Sequence, residues 1–437
     1  LGDWLGRIDR TQDLRRGVET IAKLCERHDV DVLLIAGDLF SERNQPDALR
    51  RSIEHLQACF TPFLRRGGTI LALTGNHDNE TFCRTLSHIS HLVAPEPAAD
   101  SAEPGEGDTL APPKLLPTGR FYLATKPRHL RLADRRRPDR SVSFVLMPYP
   151  TIANSFDGSN PPPRGGFDEK ARALRAAFLN SLTRLRDSLT PEDLVTAEPA
   201  VLAAHAHLES ALAAGLYRLS QSESLIVPDE PFLHPRWSYV ALGHIHLPQL
   251  IANRPHVRYS GPLERLDLSE ADEPRGAVLV DLAPAFARPR QAVTPVFLPL
   301  NPTPIRRVVI HDPSTEIPLL AEKYPDAAHS LVNYELTYTP GKDLLDDLRD
   351  QIEAVFPRWY NSDWRQAGDL PLNPSDPDAS SPTAETGSLT PTTTTSVREI
   401  LGGGGRRPAA LVLGERSLRP GAAHRLPSCP LEEVAGA

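Results

Sequence analysis

The sequence predicts an α/β fold: a layered β-sheet core flanked by helices, then a small α+β capping domain and a disordered C-terminal tail. Three observations carry that prediction. Short apolar runs alternate with helix-spaced stretches from the first residues onward, and β-α-β order is the signature of a mostly parallel sheet with helices on its faces. Several of those runs end in polar, metal-competent residues, and the carboxyl edge of such a sheet is where ligands bind. The composition then changes: residues 374–396 are Ser/Thr/Pro/Asp-rich and lack the apolar content to bury a core.

Length and charge narrow the function. At 437 residues the chain can hold two domains or more, with the hydrophobic and charged fractions of a soluble globular protein. No apolar run approaches the ~20 residues that a membrane-spanning helix needs. The N-terminus has no basic segment followed by an apolar one, so a cytoplasmic protein is expected. Cys25, Cys59, Cys83 and Cys429 form no CxxC pair and read as free thiols in a reducing compartment. A net charge of −8 gives no bulk attraction to nucleic acid. A local basic surface or a bound metal pair can still dominate the field at one site.

Taken in order, Leu14, Val18, Ile21, Leu24 and Cys25 recur at helical spacing and predict a helix over 11–28. Residues 29–36 read as a strand leading into Gly37-Asp38-Leu39-Phe40. Leu49, Ile53, Leu56 and Phe60 mark a second helix, with Pro46 near its start, where proline is tolerated. Gly67-Gly68 turns the chain into a strand over 69–73, which delivers Gly75-Asn76-His77-Asp78. Residues 95–117 read as a surface insertion. Strands are expected near 121–124 and 142–147. The arginine-rich run 128–140 between them reads as a solvated hairpin tip, with a phosphate-contacting patch as the sharper alternative.

Beyond a Pro/Gly loop at 158–166, Leu174, Phe178, Leu182 and Leu185 carry a long helix. Strands follow at 200–204, ending at His205, and at 239–242, ending at Gly243-His244-Ile245-His246. Residues 277–282 close the sheet. Strands at 306–311 and 331–339 and a helix at 343–355 form the second unit. The expected division is therefore 1–285, 295–360 and 361–437.

Strand ends thus deliver Asp38, Asn76, His205, and the pair His244 and His246. Carboxylate, amide oxygen and imidazole suit borderline divalent metals such as Mn²⁺, Fe²⁺ or Zn²⁺. A carboxylate can bridge two ions, and a pair about 3.5–4 Å apart is a standard device for phosphoester hydrolysis. His244 and His246 stand two residues apart, which lets them serve two neighbouring ions as the chain leaves its strand. Each motif also has a bland reading. Asp38 alone fits a helix cap, His205 beside His207 fits a satisfied core histidine, and Gly-His-x-His says little by itself. Gly-Asn-His-Asp is more specific, because few structural needs call for three polar side chains in a row after an apolar strand.

Together these motifs resemble the series of the calcineurin-like metallophosphoesterases. The stretches 31–40 and 259–267 further resemble the SbcD type of DNA-repair exonuclease, and the similarity runs to about residue 355. The resemblance implies that Asp38 bridges two metals, that Asn76, His205 and His244 complete one ion's shell, and that His246 belongs to the other. It implies that His77 stands by the scissile phosphate as a general acid or transition-state stabiliser, with Asp78 orienting its ring. The implied cofactors are two divalent ions, Mn²⁺ foremost. The implied partners are DNA ends, an SbcC-like coiled-coil ATPase and a second copy of the nuclease, with no membrane.

The chain departs from that pattern at both ends. The family opens its site with Asp-x-His at the end of a first strand, just before Leu-Gly, whereas this sequence begins at Leu1-Gly2 and has its only methionine at Met147. The domain is therefore expected to lack its first strand, leaving one metal site short of two ligands. Residues 397–401 hint at the family's ATPase-docking helices and then give way to glycines 402–405.

The expected function is a metal-dependent DNA exonuclease/endonuclease subunit of an SbcCD-like double-strand-break repair complex, hydrolysing phosphodiesters with a two-metal site. The alternatives are a metallophosphoesterase on a small phosphoester and a non-catalytic scaffold that has lost one metal.

Overall fold

Leu14, Val18, Ile21 and Cys25 share one helix face because they recur every three or four residues. That face of α1 (Thr11–Arg27) buries Ile21 and Cys25 against the strand that follows. The computed structural model describes residues 4–40, 46–93, 113–156, 161–189, 198–212, 225–287, 292–368 and 409–412. β1 (Val32–Ile35), α2 (Pro46–Arg65), β2 (Thr69–Leu73) and α3 (Glu80–Val93) complete the first alternation. Next come β3 (Leu115–Leu116), β4 (Phe121–Ala124), β5 (Arg128–Ala133), β6 (Ser141–Met147) and α4 (Phe167–Asp187). They are followed by β7 (Ala200–His205), β8 (Tyr239–Gly243), β9 (Gln249–Ile251), β10 (Arg254–Tyr259), β11 (Gly276–Asp281) and β12 (Val296–Pro299). The C-terminal elements are β13 (Ile305–Ile310), β14 (Leu331–Tyr338), α5 (Leu345–Val355), β15 (Trp359–Gln366) and β16 (Ala409–Val412).

Among the described residues the main body is built on two large sheets, where the strand pattern suggests one. One has the order β12-β11-β16-β1-β2-β4 and the other β9-β10-β8-β7-β6-β5-β3. Leu34, Leu71 and Leu73 of the first pack with Phe144, Leu146, Val201 and Ala203 of the second. On the outer faces, α1 and α2 cover Leu33 and Ile70, while α4 covers Leu202 and Val240 through Phe178 and Leu182. Each strand thus alternates between a helix and the opposite sheet. Strands buried on both faces read as unbroken apolar runs, which hide the number of sheets. Within these sheets β1 runs parallel to β2, and β7 to β8.

Beside β1 the sheet is continued by β16, parallel to β1 and antiparallel to β11. These four residues belong to the tail that the composition marks as disordered, and here they form a strand. The rest of 369–437, including the hint at 397–401, lies outside the described residues. The small unit is an all-parallel sheet, β13-β14-β15, with Ile352 and Phe356 on its core. β15 carries it to Gln366, past the expected end at 360, and β12 extends the main body past 285.

The stretch resembling the exonuclease branch forms the joint between the two. Buried Arg10 contacts Asp13 at 3.2 Å and Glu264 at 3.0 Å, and Glu264 also accepts the Thr303 N–H at 2.9 Å. Arg358 of the small unit reaches Asp13 at 2.6 Å. Arg265 donates to the Glu273 carbonyl at 3.2 Å and to that of Thr303 at 3.5 Å.

The arginine run is a hairpin, as expected, whose turn is exposed at residues 137–139, but two of its arginines are not solvated. Arg135 and Arg136 each straddle Asp29 and Asp31 at 2.7–3.1 Å. These aspartates precede β1, whereas Asp38 follows it, so both guanidiniums sit at the end of the strand away from the motif loops. Half of the run is strand β5, whose His129 lies buried between the Ser188 and Ser143 hydroxyls at 3.1 and 3.0 Å. Burial pushes His129 down to about 4. The neutral ring therefore contributes stability above its unfolded value near 6.5, and that contribution is lost as pH falls from there through about 4. We expect a loss on the order of 3 kcal/mol on full acidification. His129→Gln should flatten this dependence, read as urea midpoints at pH 7 and 4.5; an equal acid shift in both proteins would refute it.

Candidate metal centre

The C-terminal ends of β1 and β2 in one sheet meet those of β7 and β8 in the other. Glycines allow the approach. A Cβ on Gly37 would lie 2.1 Å from His205 Nδ1, and one on Gly75 would lie 2.1 Å from Asp38 Oδ1. Asp38 and His244 hold left-handed backbone, with φ of 56° and 96°, a conformation that L-residues other than Gly, Asn and Asp rarely adopt.

His205 Nδ1 lies 2.8 Å from the Ala36 carbonyl, which can only accept, so Nδ1 carries the proton. Nε2 is then the ring nitrogen that faces the neighbouring donors. It stands 2.9 Å from Asn76 Oδ1 and 3.4 Å from Asp38 Oδ2, while His244 Nδ1 is 2.9 Å from the same Asn76 oxygen. Burial foremost, then the His205 charge, holds the His244 imidazole down to about 2, so it is neutral as a ligand must be. Burial works against the Asp38 carboxylate, but His205 and the His77 N–H at 3.0 Å outweigh it and keep its pKa below the ordinary value.

When the His205 ring is neutral, its Nε2 turns a lone pair toward the oxygens of Asn76 and Asp38. A cation relieves such a contact. Donors around an ion with bonds of ~2.1 Å stand about 3 Å apart in octahedral geometry, close to the spacing found. The donor set fits a divalent ion. Among the described residues no three His, Cys, Asp or Glu side chains form such a group by themselves. The Asn76 oxygen is what joins His205 to His244.

Four of the five expected ligands thus come together, and the fifth, His246, lines the same cavity of about 290 Å³ with Asp38, His205 and His244. His77 sits half-buried beside Asn76. Asp78 has a task that its motif did not reveal: its oxygens accept the Phe40 N–H at 2.5 Å and the Gly75 N–H at 2.8 Å, bracing the two motif loops. Sequence reading passed over Tyr149, whose ring lies 5.5 Å from that of His244 and whose N–H donates to the Thr74 carbonyl at 2.9 Å. It also passed over Glu270, 3.0 Å from His246 Nδ1. Tyr149 does follow a strand end, the one signal available for it.

A family profile described as calcineurin-like phosphoesterase matches residues 1–248, more than half of the chain. The chain belongs to the calcineurin-like phosphoesterases. Their name gives the reaction class, the chemistry of phosphoester bonds. Among curated proteins, this phosphoesterase is similar to the SbcD subunit of the SbcCD nuclease from Staphylococcus saprophyticus. The two are 22% identical over 311 residues, covering 69% of this chain and 68% of that protein. No helix among the described residues is long and apolar enough to cross a membrane.

Proposed function

We propose that this phosphoesterase is a metal-dependent DNA nuclease that hydrolyses phosphodiesters at DNA ends, in the manner of an SbcD-type protein. The observation that carries the reading is the meeting of Asp38, Asn76, His205 and His244 around one point, with donor separations of 2.9–3.4 Å. The relative named as part of a nuclease supports the choice of DNA. So does the joint through Arg10, Asp13 and Arg358, which fixes a second unit to the phosphoesterase body.

In this reading Asp38 would be shared by two ions, Asn76, His205 and His244 would hold one of them, and His246 would belong to the other. Divalent ions held there, Mn²⁺ foremost, supply Lewis acidity to the phosphate and a low pKa to attacking water. The chain's own residues do the rest. The Ala36 carbonyl fixes the His205 tautomer, Asp78 locks the spacing of the loops, and His77 places an imidazole where a leaving oxygen can take its proton. An SbcC-like ATPase partner, a homodimer and a cytoplasmic setting complete the proposal.

The purified chain should degrade linear duplex DNA with Mn²⁺ and not with EDTA. Cleavage of a small aryl phosphodiester with intact linear duplex would replace this reading with the small-substrate one. Duplex binding with no hydrolysis of either substrate would replace it with the scaffold.

A further inference from the structure

β16 joins two halves of one sheet. Among the described residues, β12-β11 on one side and β1-β2-β4 on the other share no direct strand pairing, and β16 lies between them. Ala410, Leu411 and Val412 stand in parallel register with Val32, Leu33 and Leu34 of β1. Ala409 to Val412 stand in antiparallel register with Asp281 to Val278 of β11. Neighbouring strands lie ~4.8 Å apart, so β1 and β11 are separated by about 9–10 Å. That gap admits one strand and is too narrow for a helix, which is about 10–12 Å across.

The two halves do not meet through β16 alone. Ala277 of β11 and Leu298 of β12 share one cluster with Ile21 and Leu33, and Val278 of β11 shares another with Leu34. Packing above and below the sheet therefore frames the gap, whose walls are rows of backbone N–H and C=O groups. Buried groups of that kind must find partners. The residues that supply them follow residues 369–408 in the chain and read Ala-Ala-Leu-Val, an apolar run suited to a sheet covered on both faces.

We propose that the gap between β1 and β11 is a strand-acceptor site, and that its resident, residues 409–412 of the same chain, exchanges with the same strand offered in trans. Recognition is main-chain pairing along both walls, the mode by which an extended peptide adds to a sheet. Filling the gap also steadies the metal centre, because β1 runs from the paired residues Val32–Leu34 into Gly37-Asp38. The acceptor site would serve any phosphoester substrate alike.

The test is hydrogen exchange of the intact, metal-free chain, read by mass spectrometry. In the wild type, the amides of 410–412 should exchange about 10-fold or more slowly than in a free peptide of residues 406–416. Leu411→Pro removes a ladder donor from a central strand. It should speed exchange in 32–40 and 276–281 about 10-fold and leave 331–338 of the small unit unchanged. An excess of the 406–416 peptide should restore the slow rates in Leu411→Pro, and the same peptide carrying Leu411→Pro should not. Wild-type 410–412 exchanging at the free-peptide rate, or 32–40 and 276–281 unmoved by Leu411→Pro, would overturn the acceptor site. Failure of the peptide to restore them would overturn exchange in trans. Protection present in a dimer and absent from the monomer would assign the strand to a second copy and overturn residence in the same chain. The wild-type measurement decides even where Leu411→Pro does not fold.

Discussion

His77→Ala will lower phosphodiester turnover about 10²–10⁴-fold, the range for losing a positioned proton donor, while Mn²⁺ uptake stays at the wild-type level. The separation of the two readouts follows from the geometry. His77 supports Asp38 through its backbone N–H, at 3.0 Å from Oδ1, and alanine keeps that N–H. The side-chain oxygens and nitrogens of Asp38, Asn76, His205 and His244 approach one another within 2.9–3.4 Å, in contacts that do not involve His77. Imidazole is the side chain suited to giving a proton near neutrality. Turnover that survives intact would remove His77 from the reaction. Turnover and metal lost together would make it a structural residue.

Gly75→Ala will damage fold and function together. Its Cβ would meet Asp38 Oδ1 at 2.1 Å, the Asp38 nitrogen at 2.6 Å and its Cγ at 2.7 Å. Backbone cannot swing away as the end of a flexible side chain can, so the motif loops must part and strain the Gly75 N–H···Asp78 bond at 2.8 Å. Overpacking of this kind costs about 1–3 kcal/mol, and displacing a reacting group by ~1 Å costs on the order of 10²-fold in rate. Gly166→Ala is the control, since a Cβ there meets nothing within 4 Å. Equal urea midpoints and equal turnover for the two variants would count against the packing described.

The strand ends were legible because each motif is local: an apolar run, in three of the four a glycine, then a metal-competent side chain. β1, β2, β7 and β8 fall where the runs stand. What could not be read depends on partners far along the chain. Strand β5 hides among arginines because Arg131 pairs with Glu198, and the tip hides because Arg135 and Arg136 pair with residues more than a hundred positions away. Glu270 was passed over for the same reason, standing 24 residues from the histidine it holds. β15 escaped because an edge strand of mixed polarity, Trp359–Gln366, has little apolar alternation to show.

The left-handed backbone at Asp38 and His244 separates two pressures on the same sequence. Stability alone would favour glycine at His244, where a non-glycine residue in a sparsely populated region costs on the order of 1–3 kcal/mol, and would favour it less at Asp38, since aspartate tolerates left-handed backbone. The chain carries a carboxylate and an imidazole there instead. Selection for folding cannot account for that choice. A procedure that optimises this protein for thermal endurance would be drawn to His244 as readily as to Ala252, and would remove an imidazole in relaxing the backbone.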